Sequence, residues 1–261
     1  MIPGRLTVLS NGGGTQSIAI VVLIAMGKLP KPDLVLMVDT EREKENVLSY
    51  QDEYIKPLCN SMDVEYVRVR KSEYTNNDVI DNAGNTLPPF FTTFNDGRGK
   101  QPTFCSIKWK KEPIRRYLNE RYGEKVLTRR GVDYWIGFTV DELKRVKQDS
   151  SRKWRACYPL IDLRLSRTQC IKLVKEFGLP TPPRSNCWMC PNMSSESWLS
   201  LTEEDFKKAV KFERELKVKY SYLFLHQSFK PLSEVNFKDY MPSEKQLDFE
   251  FTGCDSGLCE F

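Results

Sequence analysis

One histidine, His226, stands among 261 residues. That scarcity removes His-rich metal sites and argues against a Ser-His-Asp triad. Within Tyr222-Leu223-Phe224-Leu225-His226 the residue reads as packed or surface. Long apolar runs are missing too: the longest, Ile18 to Met26, falls short of the roughly 20 residues that cross a bilayer. The start Met1-Ile2-Pro3-Gly4-Arg5 leads straight to a strand without leader-like character, so a cytoplasmic location and no membrane partner are expected. No Gly-Lys-Ser/Thr closes a phosphate loop of the Walker type, and the G-x-G-x-x-G dinucleotide fingerprint is absent. Without internal repeats or low-complexity tracts, the length suits one large α/β domain with a modest appendage.

What is present is a soluble composition, 40% hydrophobic and 29% charged, with a net charge of +5. The basic residues cluster at Lys108, Lys110, Lys111, Arg115 and Arg116, at Arg129-Arg130, and again from Lys144 to Arg155. Such clusters suit polyanions, nucleotide or nucleic acid; a solvated basic face is the alternative. The eight cysteines point to metal or catalysis rather than disulfides in a reducing compartment.

The chain is organised around Leu6 to Met26. Leu6-Thr7-Val8-Leu9 is rich in strand formers, Ser10-Asn11-Gly12-Gly13-Gly14-Thr15-Gln16-Ser17 is a glycine loop, and Ile18 to Met26 is an apolar helix. A strand, glycine loop and helix N-terminus together bind phosphate; a tight turn is the plainer alternative. Strand two is expected at Asp33 to Val38, a helix over about Val47 to Asn60, strand three at Val64 to Val69, and strand four at Asp133 to Phe138. Strands alternating with helices predict a doubly wound, mostly parallel sheet with ligands at the strands' carboxyl ends. Asp39 falls there, where a carboxylate holds Mg²⁺ or a ribose hydroxyl or simply makes a turn. Residues 71–104 are loop-rich and read as a lid or substrate-facing insertion. Ser166 is a plausible N-cap for a helix from Arg167 to Phe177 stopped by Gly178, and Thr202-Glu203-Glu204-Asp205 opens another helix to about Tyr220.

Cys187-x-x-Cys190 is the second anchor: half a zinc site, a redox pair, or part of an iron–sulfur site. Cys105 lies at the mouth of a loop on the expected ligand side, and Cys254 or Cys259 could complete a set of four. Cys59, Cys157 and Cys170 sit in or beside apolar segments and read as buried structural thiols. The expected layout is residues 1–180 as the nucleotide-binding α/β domain, with the Cys-containing, helical residues 181–261 packed on it.

Ser-x-Gly-Gly-Gly-x-x-Ser over Ser10 to Ser17 resembles the PP-loop of ATP pyrophosphatases, with Gln16 where the family usually has Asp. Asp39-Thr40, Cys105-Ser106-x-Lys108-x-x-x-x-Pro113, Gly137-x-x-x-Asp141-Glu142-x-x-Arg145, Tyr158-Pro159-Leu160 and Cys187-x-x-Cys190-Pro191 resemble the phosphoadenosine-phosphosulfate-reductase-like branch of that superfamily. Lys108, Lys110 and Lys111 are all open as the matching lysine. The tail Gly257-Leu258-Cys259-Glu260-Phe261 lacks the His of true sulfonucleotide reductases. The better likeness is to the PP-loop proteins of DNA phosphorothioation, the DndC and SspD type, and their phage-encoded relatives.

The resemblance implies that the loop, Ser10 to Ser17, and Asp39 bind ATP and Mg²⁺. Ser17, Asp39, Lys108, Asp141, Glu142 and Arg145 become candidate catalytic groups. A 4Fe–4S cluster, with zinc as the alternative, is implied on Cys105, Cys187, Cys190 and a tail cysteine, Cys259. The implied activity is cleavage of ATP to AMP and pyrophosphate, adenylating a nucleic-acid oxygen (a DNA backbone phosphate) for sulfur insertion. A cysteine desulfurase would supply the sulfur, and a homo-oligomer is open. Reduction of an adenylylated sulfate and a nucleotide-binding scaffold with a structural metal are the competing readings.

Overall fold

A computed structural model describes residues 4–76, 78–79, 88–146 and 151–241. The two tail cysteines, Cys254 and Cys259, lie outside the described residues.

Five strands form one parallel sheet: β1 (Leu6–Ser10), β2 (Leu34–Asp39), β3 (Tyr66–Arg70), β6 (Val132–Trp135) and β7 (Trp154–Cys157), in the order β3-β2-β1-β6-β7. The chain first winds outward from β1 through β2 to β3. It then returns to the other side of β1 with β6 and β7. That reversal opens a crevice at the carboxyl ends of β1 and β6, where open α/β sheets bind ligands.

Alternation along the strands divides two cores. Leu9, Val35 and Trp135 face α1 (Thr15–Ala25), α7 (Arg167–Glu176) and the helical stretch α2 (Glu45–Tyr50) to α3 (Lys56–Ser61). Leu6, Val8, Leu34, Leu36 and Val132 face α4 (Glu112–Tyr122) and α5 (Glu124–Arg130). Helix α1 is apolar all round because it is buried all round: Ile18, Ile20, Val21 and Val22 have no exposed surface. Each such side chain contributes on the order of 1.5–3 kcal/mol through burial. The doubly wound, parallel fold is therefore present.

Two helices carry a π turn: Gln51–Ile55 between α2 and α3, and Ile107–Lys111 before α4. The caps at Ser166 and Thr202 form, each side chain accepting from the backbone N–H three residues on. They open α7 and α9 (Glu203–Lys219).

Strand β7 is an addition to the sequence reading, which placed Arg152, Lys153 and Arg155 in a basic cluster. Arg155 instead reaches from β7 to Asp133 on β6, which also pairs with Arg5 at 2.5 Å. Asp133 has no exposed surface, so its charge is compensated only by these two guanidiniums. Strand four ends at Trp135, earlier than expected, because Ile136 and Phe138 close a tight turn, with the Phe138 N–H donating to the Ile136 carbonyl.

The expected lid is anchored in its described part. The short strands β4 (Phe91–Thr92) and β5 (Gly99–Lys100) join β8 (Leu223–Phe224) in an antiparallel sheet ordered β5-β4-β8. Phe90 is fully buried in a third core with Trp109, Met189, Trp198 of α8 (Ser195–Leu199), and Phe212 and Leu216 of α9. His226 is buried there, its Nδ1 accepting from the Ser228 N–H. Among the described residues no helix is long and apolar enough to cross a membrane.

Cys59 and Cys170 are fully buried in the first core, and burial pushes both thiols up to about 12. Cys157 is only half-buried. A thiol held above its ordinary value stabilises the fold while the unfolded thiol is still protonated; that contribution is lost as pH rises from about 8.5 toward 12. Urea unfolding in this window should therefore show falling stability. The slope should shrink by up to about 1.4 kcal/mol per pH unit for each thiol removed in Cys59→Ala and Cys170→Ala.

Candidate functional site

The glycine loop turns where the sequence places it. Gly13 has φ of +77°, and a Cβ there would stand 2.7 Å from Val47 Cγ1. The Gly13 N–H donates to Asn11 Oδ1 at 2.9 Å, and Asn11 Nδ2 donates to Gln51 Oε1 at 2.5 Å. The π turn is what directs Gln51 to the loop.

Helix α1 begins after Gly14 with no side-chain cap and no acidic residue in its first turn. Its N–H groups and partial positive charge are thus left for a ligand. Gly137 makes the crevice narrow: a Cβ there would lie 2.9 Å from the Ser17 nitrogen. No side chain fits between the end of β6 and the first turn of α1.

Ser10, Asn11, Thr15, Gln16 and Ser17 are all buried. Ser10 Oγ accepts from the Tyr134 hydroxyl at 2.8 Å, and Ser17 Oγ donates to the Gly14 carbonyl at 3.0 Å. Gln16 Nε2 donates to Glu142 Oε2 at 3.2 Å, and Glu142 pairs with Arg145. The Arg145 guanidinium lies 4.6 Å from the centre of the Phe138 ring. Gln16, Glu142 and Arg145 are thereby gathered beside the loop. Asp141 serves local structure: its Oδ2 accepts from Thr139 Oγ1 and from the Arg167 N–H that opens α7. Asp39 ends β2 and accepts from the Glu41 N–H at 2.7 Å; burial raises its carboxyl above the ordinary range.

Of the three candidate lysines, Lys108 turns away. Its Nζ pairs with Glu112 at 2.6 Å and the side chain is 41% exposed. Lys110 points inward and meets Glu43, itself without exposed side-chain surface, at 3.1 Å. The π turn accounts for this, because its extra residue per turn shifts the inward face. Burial opposes the Lys110 charge, but Glu43 and the neighbouring Cys187 and Cys105 outweigh it and hold its pKa above the ordinary value.

The thiols lie against this pair. Thr40 Oγ1 donates to Glu43 Oε1 at 3.1 Å and sits 3.5 Å from Cys187 Sγ. An antiparallel bridge between Glu43 and Cys187 and the Trp188 N–H to Arg42 carbonyl bond fasten the Cys187-x-x-Cys190 segment beside β2. Cys105, Cys187 and Cys190 each feel another of the three electrostatically, and burial pushes all three up to about 12.

This donor set has the chemistry of a thiolate-bound metal centre. Its spacing does not close: among the described residues no three Cys, His, Asp or Glu side chains are arranged to hold a metal ion. The thiols are gathered at one end of the sheet, and the fourth cysteine that the sequence offers, Cys259, lies outside the described residues.

Several buried polar atoms lack a hydrogen-bond partner among the described residues. They include Gln16 Oε1 and Gln51 Nε2 at the loop, and Ser106 Oγ, Ser185 Oγ, Asn186 Oδ1 and Glu43 Oε2 toward the thiols. Ser185 also lies over Gly13, its Cβ 3.8 Å from where a Gly13 Cβ would be. Sequence reasoning missed Gln51, Ser185 and Asn186. The adjacency of Ser185-Asn186 to Cys187 was the available signal. A separate cavity of about 400 Å³ beyond the ends of β2 and β3 is lined by residues that include Glu41, Arg42, Lys71 and Asp78.

No protein-family model and no curated protein matches the sequence. Among the solved structures similar to it are three. One is phosphoadenylyl-sulfate (PAPS) reductase from Candida auris as a phosphate complex (11% identity, 68% of this chain and 75% of that chain, TM-score 0.43). Another is U34-tRNA thiolase NcsA from Methanococcus maripaludis with its 4Fe–4S cluster (16% identity, 88% and 72%, TM-score 0.39). The third is NMN synthetase from Francisella tularensis (12% identity, 84% and 85%, TM-score 0.41). At this degree of overlap the likenesses assign nothing to this chain, whose site is read from its own residues.

Removing Glu43 strands the Lys110 charge in a dry interior, so Glu43→Ala should cost about 3–5 kcal/mol in urea unfolding. Replacing both partners, as in Glu43→Leu with Lys110→Met, should recover much of that loss.

Proposed function

We propose that the protein is a PP-loop ATP pyrophosphatase that adenylates a nucleic-acid oxygen, a DNA backbone phosphate, to prepare it for sulfur transfer. The observation that carries this reading is the uncapped, acid-free first turn of α1 beside the tight Gly13 turn, at the reversal point of the sheet. The unpartnered buried polar atoms support it. Each costs about 1–3 kcal/mol if left unpaired, and a bound polar ligand offers the missing donors and acceptors.

The chemistry follows from the groups at hand. The amides of the loop and first turn receive the β- and γ-phosphates. Mg²⁺, when bound with the nucleotide near Asp39, supplies further neutralisation of the triphosphate. Arg145, once free of Glu142, would share the charge that builds on departing pyrophosphate. An acceptor oxygen attacks the α-phosphorus, the bond to the bridging oxygen breaks, and pyrophosphate leaves. The acceptor then carries AMP, a leaving group that a sulfur nucleophile can displace. A cysteine desulfurase would supply that sulfur as a persulfide, which displaces AMP from the acceptor; a second thiol then breaks the S–S bond, leaving sulfur on the acceptor and a disulfide behind. Cys105, Cys187 and Cys190 are the residues an iron–sulfur cluster or zinc would use, completed by Cys259.

The loop is covered by Val47 and Ser185, with Gly137 against α1.

Anaerobically purified protein incubated with α-labelled ATP and Mg²⁺ should release labelled AMP, with DNA stimulating release. Gly13→Ala should lower the rate at least about tenfold by disturbing the phosphate-binding amides. Labelled ADP would overturn the pyrophosphatase assignment. Sulfite release from a sulfonucleotide without ATP would establish the reductase instead, and tight ATP binding without turnover the scaffold. A broad visible absorption lost in Cys187→Ala would separate an iron–sulfur centre from zinc.

A further inference from the structure

The small sheet β5-β4-β8 has one face turned to the third core and one turned outward. Leu223 has no exposed surface and is paired with Thr92, so that row faces inward. The alternate row is Lys100, Phe91 and Phe224, directly opposite one another across the three strands. Strand alternation places this row on the outer face.

Phe229 extends the row. It meets Phe91 at 5.9 Å and Phe224 at 6.0 Å, both edge-to-face. Its backbone has φ of +57°, a strained conformation for a bulky residue and one that tends to mark function. Each ring carries a cation: Lys100 lies 4.6 Å from Phe91, Arg98 5.1 Å from Phe229 and Lys217 3.4 Å from Phe224. Among the described residues Arg98 and Lys100 have no ion-pair partner, whereas Lys217 lies in the field of Glu213 and Glu234. Beside them Phe94 is 59% exposed and sits 5.1 Å from Tyr222.

Aromatic rings on an open sheet, interleaved with uncompensated cations, are how proteins hold unpaired nucleotides: bases stack and phosphates pair. We propose that the outer face of β5-β4-β8 binds single-stranded nucleic acid, with Phe94 stacking a base and Arg98 and Lys100 holding phosphates. The proposal rests on the reading above that nucleic acid is the acceptor, and it specifies a strand with exposed bases. An acidic peptide would use the cations but not the rings, so the two differ in what the rings contribute.

The test is fluorescence anisotropy of the full chain with a labelled oligothymidylate, without ATP, at several salt concentrations. Phe94→Ala should weaken binding by about 5- to 150-fold, the effect of one lost stacked base. Lys100→Gln should flatten the salt dependence by about 0.7 in slope. Phe94 is exposed and Lys100 lies on the surface, so both variants should keep the wild-type melting temperature. Unchanged affinity in Phe94→Ala, equal affinity for duplex, or equal competition by polyglutamate would each overturn the proposal. AMP release from ATP alone, measured on the same samples, keeps the two ideas apart. Its persistence without oligonucleotide binding removes the platform and leaves the ATP reading standing; binding without ATP cleavage does the reverse.

Discussion

The ion pair between Glu43 and Lys110 holds together parts of the chain that the sheet alone leaves apart. Glu43 follows β2, Lys110 belongs to the π turn before α4, and Cys187 arrives from beyond α7 to bridge Glu43 through the backbone. Two charges removed from water are costly unless paired and further hydrogen-bonded. Here the Thr40 hydroxyl supplies one such bond. Pairing one carboxylate oxygen, Glu43 Oε1, therefore fixes the thiols at the same end of the sheet as the glycine loop. The third core, with Trp109, Trp188 and Phe212, closes behind the pair and excludes water from it.

Much of this was legible because period and punctuation agree. Leu6-Thr7-Val8-Leu9, three glycines and a wholly apolar helix admit few arrangements, and the structure realises the strand, turn and helix directly. The caps at Ser166 and Thr202 were readable because a hydroxyl three residues ahead of an amide has a local partner whatever the tertiary fold. What could not be read depended on distant partners. Trp154 to Cys157 is four residues long, and it becomes a strand because β6 lies beside it and Asp133 draws Arg155 across. Strands of two residues, such as Phe91–Thr92 and Leu223–Phe224, carry no period at all.

The lysine at the site shows the same division. Ordinary helical spacing gives no reason to choose Lys110 over Lys108. A π turn leaves no signature in sequence, yet it decides which of the two faces a carboxylate in the interior and which meets Glu112 in solvent. Likewise Gln51, in the other π turn, reads as one polar residue among many until Asn11 is seen to donate to it. Both exceptions to regular helix geometry lie at the glycine loop or the thiols, where regularity gives way to the placement of particular side chains.

The central position of β1 has a consequence for the order of assembly. Leu6 lies beside Val132, so one flank of the middle strand stays open until the chain as far as Val132 has been made. During that interval α1, apolar on every side, has nothing on which to settle except the neighbouring βα unit. A nascent chain on the ribosome thus displays a sticky half-sheet for several seconds at ordinary synthesis rates of about 5–20 residues per second. Parallel pairing across such distances is slow to form, and protection by a chaperone during synthesis would have most to offer there.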